Sequence, residues 1–126
     1  RTKRRALKGL ALWLHKFYNA GVWQRDFKSD NILCRRGEYY MVDLDGVKIR
    51  PLSEHQKTIN LAQLNASTSN AVTLKDRLRF YYYLTAGHQP SRQQRRAVYR
   101  KVWDISRAKT TFYYDLDIEK LWKHGR

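Results

Sequence analysis

The polar segment WQRDFKSDNIL (residues 23–33) constrains the fold of this chain more than any other part of its sequence. Charged and amide side chains lie here between apolar flanks, at spacings that an ordinary turn does not need. Apolar periodicity predicts a helix over residues 2–19, with Gly21 placed to end it. Two short strands, 32–34 and 39–42, are predicted to follow, joined by a tight turn. The segment is therefore predicted to be a loop between a helix and a hairpin.

Helical patterns dominate the remainder of the chain. Capping boxes, in which a Ser and a Gln three residues later cap each other's backbone N–H groups, open predicted helices at Ser53 and Ser91. A helix rich in aromatic residues is predicted between them and is followed by Gly87. No alternation of strands and helices follows the hairpin, so the predicted fold class is α+β, mainly helical, and not a doubly wound sheet. The predicted helices in this part are 54–64, 74–86, 92–107 and a short last helix in 116–124.

Length and composition fit a single domain over residues 1–126, with 42% hydrophobic residues to build a core. Lys and Arg number 26 against 11 Asp and Glu, a net charge of +15, so the surface attracts nucleic acid, anionic membrane or phosphorylated substrates. No secretory signal or membrane-spanning run is visible, and membrane contact is expected to be peripheral. The single cysteine, Cys34, suits a reducing compartment and is predicted to be a buried strand thiol.

Arg25-Asp26 followed by Asn31 reproduces the Arg-Asp-x-x-x-x-Asn part of the protein-kinase catalytic loop. In that chemistry a carboxylate faces the attacking hydroxyl, and an amide oxygen one turn away holds magnesium on the phosphates. A second carboxylate comes from the far strand of the following hairpin, where Asp43 lies. We therefore expect Asp26 to be catalytic and Asn31 with Asp43 to bind the metal. The structural alternatives are a solvated carboxylate or helix cap for Asp26 and a turn residue for Asp43.

The sequence also resembles the C-terminal lobe of the lipopolysaccharide kinases, the bacterial Kdo/heptose kinases of the protein-kinase-like superfamily. QRDFKSDNIL (24–33) and VDLD (42–45) carry the resemblance, and NLAQL (60–64) and DRLRF (76–80) contribute more loosely. It covers most of the chain, with the last part matched only loosely. It implies a kinase-like C-terminal lobe with a catalytic loop at 24–31, a small hairpin after it, and a metal-binding segment at 43–45.

The function implied by the resemblance is ATP- and Mg²⁺-dependent phosphorylation of a sugar hydroxyl of the lipopolysaccharide inner core, on Kdo or heptose. Asp26 would orient or deprotonate the acceptor hydroxyl, Lys28 would contact the γ-phosphate of ATP, and Asn31 with Asp43 would hold magnesium. The implied partners are the lipid A–core saccharide and the anionic surface of the bacterial inner membrane. The protein is expected to be cytoplasmic and peripheral on the inner face of that membrane, which its positive charge favours.

Three features depart from the kinase pattern. Gln24 stands where the motif has His, a residue that mainly supports the loop, and we expect the loop geometry to survive. Asp45 stands at the Gly position of Asp-Phe-Gly, in a form similar to that of sugar and lipid kinases of the family. No glycine-rich loop and no Val-Ala-Ile-Lys strand occurs in the sequence. We expect both in an N-terminal lobe upstream of Arg1, and expect these 126 residues alone to be inactive.

Other function classes stay open. A small-molecule kinase of the aminoglycoside type is the nearest, although such kinases usually carry His-Gly-Asp. A catalytically inactive kinase-like scaffold is supported only by Gln24 and Asp45. A nucleic-acid-binding domain is supported by charge and aromatic content alone, without a recognition-helix, RNP or zinc signature, so no nucleic acid is expected. A protein substrate is disfavoured because Ala-Pro-Glu is missing and the Ser53 cap follows Asp43 too closely for an activation segment.

Two side-chain clusters are expected to have structural roles. Phe80 and the three tyrosines that follow it are expected to pack in the core rather than to stack with bases. The basic residues of the fourth helix are expected to form mainly a solvated face, with anion binding as the less favoured alternative; they are Arg92, Arg95, Arg96, Arg100 and Lys101.

Overall fold

A computed structural model describes residues 2–69, 71–85 and 91–108. These residues form an α+β fold that is mainly helical, as predicted. Two short 3₁₀ turns, Ser29–Asn31 and Leu44–Gly46, accompany the regular elements. The predicted last helix and Gly87 lie outside the described residues. In chain order the elements are α1 (Thr2–Asn19), β1 (Val22–Gln24), β2 (Ile32–Arg35), β3 (Glu38–Met41), β4 (Val47–Ile49), α2 (Glu54–Ser67), α3 (Leu74–Thr85) and α4 (Arg92–Arg107).

The core lies between the four helices, with α1 packed against α3 and α2 against α4. Each helix contributes one apolar stripe at a helical period, as Ala11, Leu14 and Tyr18 do for α1. Both predicted capping boxes are present: the Ser53 hydroxyl accepts from the Gln56 N–H, and Ser91 accepts from Gln94. The buried core is completed by Trp23, Phe27, Leu61, Ala62, Leu64, Tyr81, Leu84, Tyr99, Val102 and Trp103.

The aromatic run in α3 divides between core and surface. Tyr81 is buried, and Phe80 and Tyr83 pack partly buried against the core, as expected. Tyr82 is 51% exposed, so the prediction that it packs in the core is wrong. Four consecutive residues of a helix span more than one full turn, and one of them must face outward.

Gly21 ends α1 and turns the chain into β1. Its φ of 72° lies in the left-handed region, and its N–H donates to the Tyr18 carbonyl oxygen at 3.0 Å. A Cβ at this position would lie 3.2 Å from the backbone carbonyl carbon of Arg50, at the end of β4. The glycine therefore lets β1 pair closely with β4.

Two small antiparallel sheets follow α1. The predicted hairpin is formed by β2 and β3, with Arg36 and Gly37 at φ 54° and 78° in the two-residue turn, as a type I′ turn requires. The other sheet pairs β1 with β4, so that Trp23 lies opposite Lys48 and Gln24 opposite Val47. The sequence did not predict these two strands, because three residues are too few for a period-2 pattern.

Cys34 is exposed, so the prediction of a buried strand thiol is wrong. It lies on β2, opposite Tyr39 near the turn of the hairpin. At the base of the hairpin Ile32 pairs with Met41 and both pack against the core, and Tyr39 reaches α1, where its ring lies 6.0 Å from that of Trp13. A two-stranded hairpin has no third strand to cover its outer end, and the thiol therefore reaches solvent.

The first turn of α3 is tied to α1 through a buried carboxylate. Asp76 accepts from the Thr73 N–H at 3.1 Å, the Thr73 hydroxyl accepts from the Asp76 N–H at 3.2 Å, and the Lys3 ammonium lies 3.0 Å from the carboxylate. Desolvation by burial opposes ionisation, but the hydrogen bonds from Lys3 and Thr73 and the charge of Lys3 outweigh it. The pKa of Asp76 therefore lies below its ordinary value of 3.8.

This lowered pKa predicts an acid-labile contribution to stability. The contribution is present above the pKa of the unfolded chain and is lost as pH falls through the lower folded pKa. We expect Asp76→Asn to lower the free energy of unfolding at pH 7 and to narrow the difference between pH 7 and pH 3, measured by urea unfolding. Asp104→Asn, at an exposed site in α4, is the control. An unchanged pH difference in Asp76→Asn would contradict the assignment.

Within the described ranges, no helix combines the length and apolarity needed to span a membrane.

Candidate functional site

The site lies where two chain segments run side by side. One is the loop from β1 to β2, and the other joins β3 to β4. The Arg25 N–H donates to the Gly46 carbonyl oxygen at 2.7 Å, and the Val42 N–H donates to the Asn31 carbonyl oxygen at 2.8 Å. These backbone hydrogen bonds bring Asp43 next to the loop that carries Asp26, Lys28 and Asn31.

Three of the four predicted site residues meet within the loop itself. The Lys28 ammonium lies 3.7 Å from an Asp26 carboxylate oxygen, and both side chains are more than half exposed. The Lys28 backbone N–H donates to the Asn31 side-chain oxygen at 3.2 Å. An ion pair this exposed adds little to stability, so both charges remain available to a ligand. Asp43 is also exposed, and Asn31 is half-buried.

Polar side chains of α2 hold the backbone of the loop in place. The Asn60 amide donates to the Gln24 carbonyl oxygen at 2.7 Å. Gln63 bridges two loop positions: its amide donates to the Arg25 carbonyl oxygen, and its oxygen accepts from the Phe27 N–H. Because these bonds go to backbone atoms, they fix the loop without engaging the side chains of Asp26 or Lys28.

Ser67, in the last turn of α2, completes the set of contacts. Its hydroxyl accepts from the Ser29 N–H at 2.8 Å, and its carbonyl oxygen accepts from the Ser29 hydroxyl at 2.9 Å. Asn60, Gln63 and Ser67 are spaced i, i+3, i+7 and therefore share one face of α2. The sequence reasoning missed this polar stripe, although its helical spacing was a signal that could have revealed it.

The buried end of the stripe is anchored in the core. The Tyr18 hydroxyl donates to the Asn60 side-chain oxygen at 2.8 Å, and Asn60 is 2% exposed. Burial raises the pKa of Tyr18 well above its ordinary value, so its hydroxyl remains a donor at neutral pH. Phe27 is fully buried and pins the middle of the loop to the core. The loop is thus preorganised by buried groups, and its charged side chains are left at the surface.

Gln24 occupies the position where the kinase motif has His, and it connects the two halves of the site. Its side chain is almost fully buried, and its amide donates to the Asp43 carbonyl oxygen at 2.9 Å. Gly46 lies directly against the side-chain oxygen of Gln24, and a Cβ at Gly46 would overlap it. Gln24 therefore supports the segment that carries Asp43, and Gly46 provides the space for it.

Asp43 has a left-handed backbone, with φ 63° and ψ 66°. Asp and Asn enter this region more readily than other residues with a side chain. The Asp43 side chain does not cap the 3₁₀ turn that it precedes. Its carbonyl oxygen accepts from the Gln24 amide and from the Gly46 N–H, and these bonds hold the backbone in place.

We expect Gly46→Ala to displace the Gln24 side chain and release the Asp43 carbonyl oxygen. The predicted loss is about 1–3 kcal/mol in the free energy of unfolding, measured by urea titration, because overpacking forces neighbouring groups to shift. Gly9→Ala in α1 is the control, since its Cβ would make an ordinary contact of 3.4 Å with Tyr39 and would favour the helix. Equal stability of the two variants would show that the Gln24 packing has no such role.

Asn31 and Asp43 carry oxygen donors of the kind that magnesium binds. Asn31 offers an amide oxygen that retains a lone pair beyond its bond to Lys28, and Asp43 offers a carboxylate. Mg²⁺ is commonly bound through one or two carboxylates together with substrate phosphates and water. Among the residues with described positions, no three His, Cys, Asp or Glu side chains form a metal cluster. A site that depends on phosphate oxygens needs no such cluster.

The elements around the site also expose apolar side chains. Leu33 and Tyr40 lie on the hairpin, Val42 and Leu44 flank Asp43, and Ile49 lies on β4 with 81% of its surface exposed. Exposed apolar side chains grouped on neighbouring elements are typical of surfaces that bind a partner or a ligand.

Comparison with known proteins gave no match: no family model, curated protein or solved structure matches this chain. Its function is therefore inferred from the residues of the site and from the resemblance of its motifs.

Proposed function

We propose that this chain is the acceptor-side lobe of an ATP- and Mg²⁺-dependent phosphotransferase that acts on a sugar hydroxyl of the lipopolysaccharide inner core, on Kdo or heptose. The observation that carries the proposal is the backbone hydrogen bonding between two chain segments. The backbone of residues 25–31 is bonded to that of residues 42–46, which brings the residues of the Arg-Asp-x-x-x-x-Asn motif next to a carboxylate on a left-handed residue.

Each side chain has a role in this proposal. Asp26 orients the acceptor hydroxyl and accepts its proton as the bond from that oxygen to the γ-phosphorus forms, while the bond from the γ-phosphorus to the β–γ bridging oxygen breaks and ADP leaves. Lys28, at 3.7 Å from Asp26, brings a positive charge to the γ-phosphate beside the acceptor. Asn31 and Asp43 would hold magnesium, which would neutralise charge on the phosphates of ATP.

The capping alternatives for these residues are disfavoured. Lys28 is the N-cap residue of the 3₁₀ turn in the loop, so Asp26 is not its cap. The Asp43 side chain makes no capping hydrogen bond either. A solvated carboxylate stays open for Asp26, whose side chain is 66% exposed, and a turn role stays open for Asp43, which precedes a 3₁₀ turn. An inactive scaffold is supported by Gln24 and Asp45, yet Gln24 holds the backbone of Asp43 at 2.9 Å. The replacement of His is thus compatible with an ordered site.

The proposal also includes an N-terminal lobe that would bind the nucleotide. The exposed apolar side chains on the hairpin and β4 offer a surface for a lobe that would carry the glycine-rich loop and the strand Lys. The saccharide acceptor follows from the resemblance to the lipopolysaccharide kinases. The net charge of +15 favours an acceptor that carries anionic groups at the anionic inner face of the bacterial inner membrane, with peripheral attachment.

The test uses the full-length protein with radiolabelled ATP, Mg²⁺ and three acceptors: core saccharide lacking phosphate, an aminoglycoside, and a generic protein substrate. We expect label in the saccharide, and none after EDTA is added. Label in the aminoglycoside alone would instead indicate the small-molecule kinase. ATP binding without transfer to any acceptor would indicate the scaffold. Salt-sensitive binding of duplex DNA, with no transfer, would favour the nucleic-acid alternative.

A further inference from the structure

A groove of about 540 Å³ lies between α3 and α4, apart from the loop that carries Asp26. We call it the α3–α4 groove. Its volume falls in the range of small-molecule sites, about 300–1,000 Å³. Its lining combines basic and aromatic side chains, chiefly Arg92, Arg95, Arg96 and Arg100 of α4 with Tyr81 and Tyr82 of α3.

The periodicity of α4 concentrates these arginines on the groove. Positions 92, 95, 96 and 100 are spaced i, i+3, i+4, i+8 and share a face. Further along α4, Val102 and Trp103 are buried in the core. Within Arg92–Arg107 the single acidic residue, Asp104, does not line the groove. The groove therefore presents concentrated positive charge. Arg92, Arg96 and Arg100 are exposed, as expected of a solvated face, and Arg95 is half-buried.

Aromatic rings position part of this charge. The guanidinium carbon of Arg95 lies 4.9 Å from the centroid of the Tyr82 ring, a cation–π contact. The Tyr81 and Tyr99 rings contact each other with centroids 5.4 Å apart, and both line the groove. Desolvation by burial raises the pKa of Tyr81 to about 12, so it adds no negative charge to the groove at neutral pH.

We propose that the α3–α4 groove is a binding site for a phosphate monoester carried on a sugar-sized ligand. Arginine forks match phosphate oxygens in bidentate geometry, and the tyrosine rings offer an apolar surface for the carbon skeleton. The inference does not rest on the proposed function, because it uses none of the residues of the loop or of the Asp43 segment.

The experiment measures binding of glucose 6-phosphate to the full chain by titration calorimetry, with glucose as the uncharged comparison. Arg92→Gln combined with Arg96→Gln is expected to weaken binding at least tenfold. Lys75→Gln combined with Lys101→Gln removes the same amount of charge outside the groove, from one residue of α3 and one of α4, and is expected to change affinity less than twofold. Lys28→Gln is also expected to leave binding unchanged, which separates this site from the proposed catalytic site.

Substitutions of Tyr82 test whether its ring positions Arg95 for binding. Tyr82→Phe keeps a ring beneath Arg95 and is expected to retain affinity, whereas Tyr82→Leu removes the ring and is expected to weaken binding several-fold. Equal losses in the two paired-charge variants would overturn the proposal, because only general attraction of anions would remain. No detectable binding of glucose 6-phosphate would overturn it too. If vesicles containing phosphatidic acid bind while the sugar phosphate does not, the groove is a membrane contact and the proposed ligand is wrong.

Discussion

Asp26→Asn and Asp43→Asn are each expected to lower phosphate transfer by the full-length protein by about 10²–10⁴-fold, the usual range for loss of a positioned catalytic group. Asp26→Asn removes the proton acceptor next to Lys28. Asp43→Asn removes the carboxylate of the proposed metal pair, while Asn tolerates the left-handed backbone at φ 63°. Initial rates at saturating ATP and Mg²⁺, with circular dichroism to check the fold, measure the effect.

Asp30→Asn is the matched control, because Asp30 is an exposed carboxylate in the same loop with no role in the proposed chemistry. Its rate is expected to stay within about twofold of the parent protein, as surface substitutions usually cost little. A loss below tenfold at both Asp26 and Asp43 would refute the phosphotransferase proposal.

Arg77→Met is expected to cost about 3–5 kcal/mol of unfolding free energy, as for the loss of a buried charged group with several partners. Arg77 is 5% exposed and holds the connection between α2 and α3. Its guanidinium donates, at 2.8–3.1 Å, to the carbonyl oxygens of Asn65, Thr68, Ser69 and Val72 and to the side-chain oxygen of Asn65. Removing the guanidinium takes this donor from every one of them, and only the Asn65 and Ser69 carbonyl oxygens also accept from a backbone N–H among the loop hydrogen bonds.

Arg77→Lys is expected to cost nearly as much, because an ammonium group cannot reproduce the planar fork that reaches several carbonyl oxygens. Arg79→Met, two residues further along α3 and only half-buried, is the control and is expected to cost less than about 1 kcal/mol. Urea unfolding measures all three variants. Parent-like stability of Arg77→Lys would show that charge alone, without the fork, is sufficient.

Patterns of local origin allowed most of the fold to be predicted. The period of α1, the two capping boxes and the hairpin each depend on residues close together in sequence, and each is present in the structure. The pairing of β1 with β4 joins residues more than twenty positions apart through strands of three residues, too short to leave a pattern. The exposure of Cys34 depends on how far the hairpin extends beyond the helices, which is a tertiary property.

The residues of the candidate site likewise divide into those that the sequence predicts and those that it does not. Motif spacing predicts Asp26, Asn31 and Asp43 as candidate site residues, and the resemblance to the lipopolysaccharide kinases adds Lys28. The groups that hold them could not be assigned, because Asn60, Gln63 and Ser67 act on backbone atoms of a segment some forty residues earlier in the chain. The loosely matching NLAQL segment contains two of these three residues, so its likeness to the kinases coincides with a supporting position.

The polar stripe of α2 holds the loop in shape, and the side chains of Asp26 and Lys28 take no part in this. Buried neighbours fix the loop through its main chain, so Asp26 and Lys28 contribute little to keeping the protein folded. Substitutions at Asp26 and Lys28 should therefore leave the melting behaviour of the protein almost unchanged, whatever they do to the proposed activity. A variant that purifies well and melts normally would not by itself show that the proposed site is intact.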